Sequence, residues 1–120
     1  MNFTVKDNSA AVLAAMKAQC MDGLREIGAK AVKHAQDEID RAQRVDTGEM
    51  RNSIRSEVRG DGVYVGTDNE HAAFHELGTG HYTQPHSGEN YGVKPLHFLH
   101  HAAAQHTPEY RKIMKGALKR

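Results

Sequence analysis

The chain reads as an α+β domain in which helices surround a small antiparallel β-sheet. Three observations lead there. An apolar stripe recurs at three- and four-residue steps from Leu13 to Ala42. A short stretch from Ile54 to Val65 alternates apolar and polar side chains about a Gly60-Asp61-Gly62 turn, and a further helical stripe opens at Leu96. With 120 residues, 38% of them hydrophobic and no Trp, the chain makes one domain with a lean core. Its mean hydropathy is −0.70, and lean cores gain stability from neighbouring subunits.

The first element is a long helix over 9–44, with Ser9 as its expected N-cap. Leu13, Met16, Cys20, Leu24, Ile27, Ala31, Ala35, Ile39 and Ala42 form one face. Lys17, Asp22, Arg25, Lys30, Lys33, Asp37 and Arg41 form the other. Such a helix runs about 50 Å, longer than a small sheet covers, so part of its stripe is expected to pack on another copy of the chain. Gly23 and Gly28 offer break points, which leaves two collinear pieces as the alternative.

Asp46 stands three residues before Glu49, a capping-box spacing that predicts a helical turn over Glu49–Asn52, with Gly48 permitting a bend. A β-hairpin over 53–67 follows, Ile54, Ser56 and Val58 alternating with Arg55, Glu57 and Arg59 before Val63-Tyr64-Val65 returns. Thr67 and Glu70 repeat the capping spacing and open a short helix over 68–78, with Ala73, Phe74 and Leu77 as its inner face and Gly78-Thr79-Gly80 as its end. Residues 79–95 hold Pro85, Gly88, Gly92 and Pro95, and form a loop or an extended hairpin. A C-terminal helix over 96–118 restarts at Thr107-Pro108-Glu109, a cap with proline at the first helical position.

Several function classes fall away on composition. No run of about 18 apolar residues exists to span a membrane. The N-terminus lacks the basic-then-apolar plan of a signal peptide, and Cys20 is the one cysteine, so a reducing cytoplasm is the expected place of synthesis. Formal net charge is +1, too little to attract polyanions strongly. Arg111, Lys112, Lys115, Lys119 and Arg120 crowd the end, where cations suit a helix C-terminus.

The residues that invite chemistry have bland readings. Asp46-Thr47-Gly48 is the triplet of aspartic proteases, but here it follows a helical pattern and precedes Glu49, so a capped turn is expected. Of the nine histidines, His71 and His75 share a helix face, as do His97 and His101. A zinc site from these four is conceivable if the helices touch; solvated or interface histidines are the commoner outcome. Cys20 lies in the apolar stripe, where burial makes a thiol inert. No catalytic, metal-binding or cofactor-binding residue is assigned. Tyr82 and Tyr91, with few cations beside them, are expected to touch protein rather than bases.

Two ungapped blocks carry more information. The first is Val45-Asp46-Thr47-Gly48-Glu49-Met50-Arg51-Asn52-Ser53-Ile54. The second is Val65-Gly66-Thr67 running into Ala72-Ala73-Phe74-His75-Glu76-Leu77-Gly78-Thr79-Gly80, with Phe98-Leu99 further on. This order resembles the small neck, or tail-completion, proteins of tailed double-stranded DNA bacteriophages. Their pattern reads Asp-Thr-Gly-x-Leu-Arg-x-Ser-Ile, a hairpin ending Val-Gly-Thr, a Tyr-Ala-x-x-x-Glu-x-Gly-Thr-Gly helix, a variable loop and Pro-Phe-Leu. The likeness covers about residues 9–118; Met50 replaces the Leu, His71 the Tyr, and His97 and His101 the flanking prolines.

The resemblance implies a non-enzymatic virion protein, made in the bacterial cytoplasm, that forms a ring of copies at the head–tail junction. Its implied partners are itself, head-completion or connector proteins, tail proteins, and DNA passing without sequence specificity. Tail-terminator and head-closure rings are the neighbouring roles, and a His-rich zinc protein or hydrolase is the alternative of another class. Asp46, Thr47, Gly48, Arg51 and Ser53 then shape the helix-to-sheet corner, with Glu76 paired to Arg51. Gly78, Thr79 and Gly80 make the turn after the short helix, and Tyr82, Tyr91, Phe98 and Leu99 are candidate interface residues.

Overall fold

The computed structural model describes residues 7–44, 48–79 and 92–119. It is α+β and mostly helical, organised on one helix. That helix, α1 (Ser9–Arg41), runs 33 residues without a break. Its first turn is capped by Asp7, whose carboxylate accepts the Ser9 N–H at 2.8 Å, so Ser9 is a capped residue rather than the cap. It stops at Arg41, short of Arg44, because Gln43 turns left-handed at φ 58°. Gln43 N–H then donates to the Asp40 carbonyl at 3.0 Å and Arg44 N–H to that of Ile39 at 3.1 Å, which closes the helix end in a Schellman pattern.

Gly23 and Gly28 do not break α1; they let neighbours come close. A Cβ at Gly28 would stand 2.6 Å from Ser56 Oγ and 2.8 Å from Val63 Cγ2. One at Gly23 would stand 2.8 Å from Met114 Sδ and 3.1 Å from Ala117 Cβ. The helix is thus notched twice, once for the hairpin and once for the last helix.

After the corner comes α2 (Glu49–Asn52), entered through left-handed Gly48 at φ 85° with no side-chain cap. The expected cap, Asp46, lies outside the described residues, as does Thr47. Strands β1 (Arg55–Arg59) and β2 (Gly62–Gly66) pair antiparallel, Arg55 opposite Gly66 and Arg59 opposite Gly62. The turn between them is Gly60-Asp61, with Gly60 at φ 59°. Ser56, Val58, Val63 and Val65 are half-buried on the face toward α1, while Arg55, Glu57, Arg59 and Tyr64 are exposed on the other.

The next helix, α3 (Ala72–Leu77), begins later than the sequence predicts. Thr67 does not cap it with Glu70: Thr67 Oγ1 accepts the Asn69 N–H at 3.0 Å, and Asn69 Oδ1 accepts that of His71 at 2.9 Å. The predicted inner face is also reversed. Ala72 is buried, whereas Phe74 and Leu77 are 49% and 63% exposed. Positions 72 and 76 share one side of a helix, so Phe74 and Leu77 point away once Ala72 is fixed in the core.

The C-terminal helix is two helices, α4 (Phe98–Ala104) and α5 (Thr107–Leu118), with Pro108 in the first turn of the second. His106 rather than Thr107 is the N-cap residue of α5. This helix lies antiparallel on α1. Glu109, near its start, is 3.9 Å from Lys30, and Ala117, near its end, meets Gly23. Tyr110 joins three helices, its hydroxyl donating to the Ala102 carbonyl of α4 and lying 2.9 Å from His34 Nδ1 of α1.

The core comprises Ala35 and Ile39 of α1 with Ile54, Ala72, Phe98 and Ala102. Val32, Met50, Val65, Leu96 and Leu99 pack around it. This cluster sits at the C-terminal half of α1, and Leu24, Ala31 and Ala117 are buried outside it. The Cα radius of gyration of 20.7 Å exceeds the ~14 Å of a compact domain of similar length. No described helix is long and apolar enough to cross a membrane.

Candidate functional site

The residues of the two motif blocks meet at the corner where α1 gives way to the hairpin. Arg51 lies against α1, its Nε donating to Asp40 Oδ1 at 2.8 Å while its carbonyl accepts Gln36 Nε2 at 3.1 Å. Ser53 Oγ donates to the Met50 carbonyl at 2.6 Å and is hydrogen-bonded to Thr67 Oγ1. Ser53 from the first block and Thr67 from the second therefore close the base of the hairpin together. The Arg55 guanidinium pairs with Asp68 beside them.

Glu76 does not pair with Arg51. Its two carboxylate oxygens accept the backbone N–H groups of Leu99, at 2.8 Å, and His100, at 3.1 Å. These are among the first-turn donors that α4 cannot satisfy itself. The residue at the N-cap position, His97, is left-handed at φ 55° and makes no side-chain cap. Glu76 thus caps α4 from another helix, a carboxylate at the positive end of the helix dipole. Arg51 is bonded to Asp40 instead.

The turn after α3 is equally specific. Gly78 adopts φ 82° and is buried, and a Cβ there would stand 2.9 Å from Pro95 Cδ and 3.0 Å from the Val93 carbonyl oxygen. Thr79 N–H donates to that carbonyl at 3.0 Å, and Thr79 Oγ1 accepts the Val93 N–H at 2.9 Å. The chain leaving α3 and the chain entering α4 are therefore clamped side by side. Leu96 N–H strengthens this by donating to the His75 carbonyl at 2.7 Å. Gly80, Tyr82 and Tyr91 lie outside the described residues.

Phe98 is not an interface residue: it is 0% exposed and, with Ile39, one of the largest side chains wholly inside the core. Leu99 is half-buried against the same core. Capping by Glu76 rolls α4 so that Phe98 and Ala102, four apart, both face inward. Cys20 is half-buried rather than enclosed, because it lies near the end of the cover that α5 provides.

His71, His75, His97 and His101 do not converge. His75 Nδ1 lies 3.4 Å from the Arg44 guanidinium, and burial, then Arg44 and His71, hold its pKa below the ordinary value. His101 Nδ1 is 3.7 Å from Glu38, and the His97 and His101 rings are 6.1 Å apart. Among the described residues, the histidines that gather with a carboxylate are His34 and His106, beside Glu109. Burial, then the charge of His106, lower the pKa of His34, with Glu109 pulling the other way.

Among the described residues, the longest exposed run of helix is the beginning of α1. Val12, Leu13 and Met16 are 53%, 65% and 52% exposed, and residues 9–18 are all exposed. They continue the stripe that is buried further on at Leu24, Ala31, Ala35 and Ile39. Phe74 and Leu77 of α3 add an exposed apolar pair near the Thr79–Val93 clamp.

Sequence reasoning misses the capping role of Glu76, which no local spacing encodes because its partners are 23 and 24 residues away. It misses the His34 group for the same reason, although His106 and Glu109 stand three apart at a helix start, a visible half of the signal. No family model, no curated protein and no solved structure matches the chain.

Proposed function

We propose that the chain is a ring-forming neck, or tail-completion, protein of a tailed bacteriophage or prophage. It works by fitting beside copies of itself and between head-completion and tail components, with no bond made or broken. One observation supports this reading above the others: α1 extends past its own cover for roughly three turns with Val12, Leu13 and Met16 bare. Monomers seldom leave a helical apolar stripe exposed unless something packs on it. In a ring of identical subunits, that stripe meets a different surface of the next copy, a heterologous contact that closes on itself.

The corner supports the reading in a second way. Ser53 bonded to Thr67, Arg51 bonded to Asp40 and Glu76 capping α4 give the motif residues scaffolding work. Each is satisfied by its own chain, as parts of a frame are, and none is left presenting a reactive group. Phe74 and Leu77, on the opposite side of α3 from the core, suit contact with a different partner.

Negative-stain microscopy and light scattering of the full chain, alone and mixed with head-completion proteins, test the proposal. Uniform rings are expected in at least the mixture. A chain that stays monomeric with every head and tail partner, or a hydrolytic turnover abolished by Asp46→Asn, would reject it. Labelling the chain on intact particles separates the neck position from the tail-terminator and head-closure positions.

A further inference from the structure

We infer that His34, His106 and Glu109 form a binding site for one first-row divalent transition ion, of the zinc type, which clasps the start of α5 to the middle of α1. The argument begins with the donors. Tyr110 has one hydroxyl proton, and it goes to the Ala102 carbonyl, which can only accept. His34 Nδ1, 2.9 Å from the same hydroxyl, therefore reaches it as the donor. In neutral His34 the proton is then on Nδ1, and Nε2 carries a lone pair.

That lone pair faces a carboxylate. His34 Nε2 lies 3.2 Å from Glu109 Oε2, and His106 Nδ1 lies 4.0 Å from the same oxygen. The two imidazoles are stacked, 3.5 Å between centroids and 12° between planes, so their in-plane lone pairs run nearly parallel beside Glu109. One ligand atom from each of the three side chains lies within 4.8 Å of the other two, which leaves room for a cation. Zinc bonds of about 2.0–2.2 Å at tetrahedral angles put ligand atoms about 3.3 Å apart. The His34–Glu109 spacing of 3.2 Å already has that value. His106 needs to close by roughly 0.7 Å and to turn out of the stack so that Nδ1 aims at the ion, and its ring is part-exposed at the start of α5.

The surroundings resemble those of metal-binding histidines. A ligating imidazole usually donates its other N–H to a fixed acceptor, which sets the tautomer and aims the ring. Tyr110, itself held by Ala102, performs that task for His34. Lys30 stands 3.9 Å from Glu109 Oε1, the oxygen turned away from the imidazoles, leaving Oε2 as a single-atom ligand. Two imidazoles and a carboxylate, part-exposed, leave a further coordination position for water. The site is independent of the assembly reading, since every ligand comes from one copy of the chain.

The test uses the full chain stripped with chelator and titrated at neutral pH with Co²⁺, read by its visible absorption, and then with Zn²⁺ in competition. One saturable tetrahedral Co²⁺ spectrum per chain is expected, displaced by Zn²⁺. His106→Asn and Glu109→Gln abolish it, and Tyr110→Phe weakens it about 10- to 100-fold. A His71→Asn/His100→Asn chain keeps it. Circular dichroism of the metal-free variants shows whether they are folded. X-ray absorption of the Zn²⁺-loaded native chain gives a readout that needs no variant, and it should count two imidazoles. A spectrum unchanged by His106→Asn or Glu109→Gln, no saturable spectrum, or a shell with fewer than two imidazoles overturns the inference.

Discussion

The two ends of α1 carry one continuous apolar stripe and meet opposite fates. From Gly28 to Ile39 the stripe has small residues at the points of closest approach, and the hairpin and α4 lie down on it. From Val12 to Met16 it carries larger side chains that are more than half exposed. Periodicity says which face of a helix is apolar; it does not say what covers it. Residue size does not say it either: Ala10, Ala11, Ala14, Ala15 and Ala18 are exposed at the free end while Leu24 and Ile39 are buried further on. The contacts decide it, as where Gly28 lets Ser56 and Val63 of the hairpin come close.

The largest effect is expected at the covered end. Phe98→Ala removes the largest ring from a core with few other members, and should lower unfolding free energy by about 3–5 kcal/mol, measured by urea denaturation. In so lean a core such a loss approaches the whole stability of an ordinary domain. A loss below about 1 kcal/mol would mean that α4 is not held where the structure puts it, and the contrast between the two ends would collapse.

Glu76→Ala comes next. It strips the cap from α4 and leaves two backbone donors without partners, for an expected loss of about 1–2 kcal/mol. Glu76→Gln, which keeps one acceptor oxygen, should recover part of it. An Arg51→Ala/Glu76→Ala double variant sharpens the point. Because Arg51 bonds Asp40 and Glu76 bonds α4, the two losses should add within about 0.5 kcal/mol. Clear coupling between them would restore the direct pair that the resemblance implies.

The notch gives a smaller effect with an internal control. Ala is the better helix former by about 1 kcal/mol, so Gly116→Ala, where a new Cβ meets nothing within 4 Å, should gain stability. Gly28→Ala carries the same propensity gain but drives a methyl against Ser56 and Val63, where overpacking costs about 1–3 kcal/mol. Its net effect should be a loss of about 1 kcal/mol. Opposite signs at the two glycines would identify Gly28 as a seat for the hairpin rather than a hinge.

Much of this architecture is legible in the residues because it is local. The stripe of α1, the hairpin about Gly60-Asp61 and the restart at Pro108 each rest on patterns within a few positions. The errors at the caps are local, Asp7 taking Ser9 and Asn69 taking His71, but those in the core and at the corner arise where the deciding contact comes from outside the local pattern. Phe98 reads as a surface residue until Glu76 fixes the roll of α4. Phe74 and Leu77 read as an inner face until Ala72 takes that place in the core. Asp40 takes Arg51 because the corner folds back onto α1, and no spacing in the sequence displays that return.

The smallest effect on folding is expected at the free end, and it separates the two halves of α1 most directly. Leu13→Glu with Met16→Glu replaces side chains that are more than half exposed with a residue of nearly equal helix propensity. Unfolding free energy should stay within about 0.5 kcal/mol of the native chain, and helical circular dichroism should not change. Assembly should nevertheless be lost, because two carboxylates at each contact would have to be buried against the next copy without partners. If the double variant still forms rings, the contact lies elsewhere, and Phe74→Asp with Leu77→Asp on α3 becomes the discriminating pair. If instead the double variant unfolds, the beginning of α1 is already covered within the monomer, and the long helix loses its claim to be the part that joins one copy to the next.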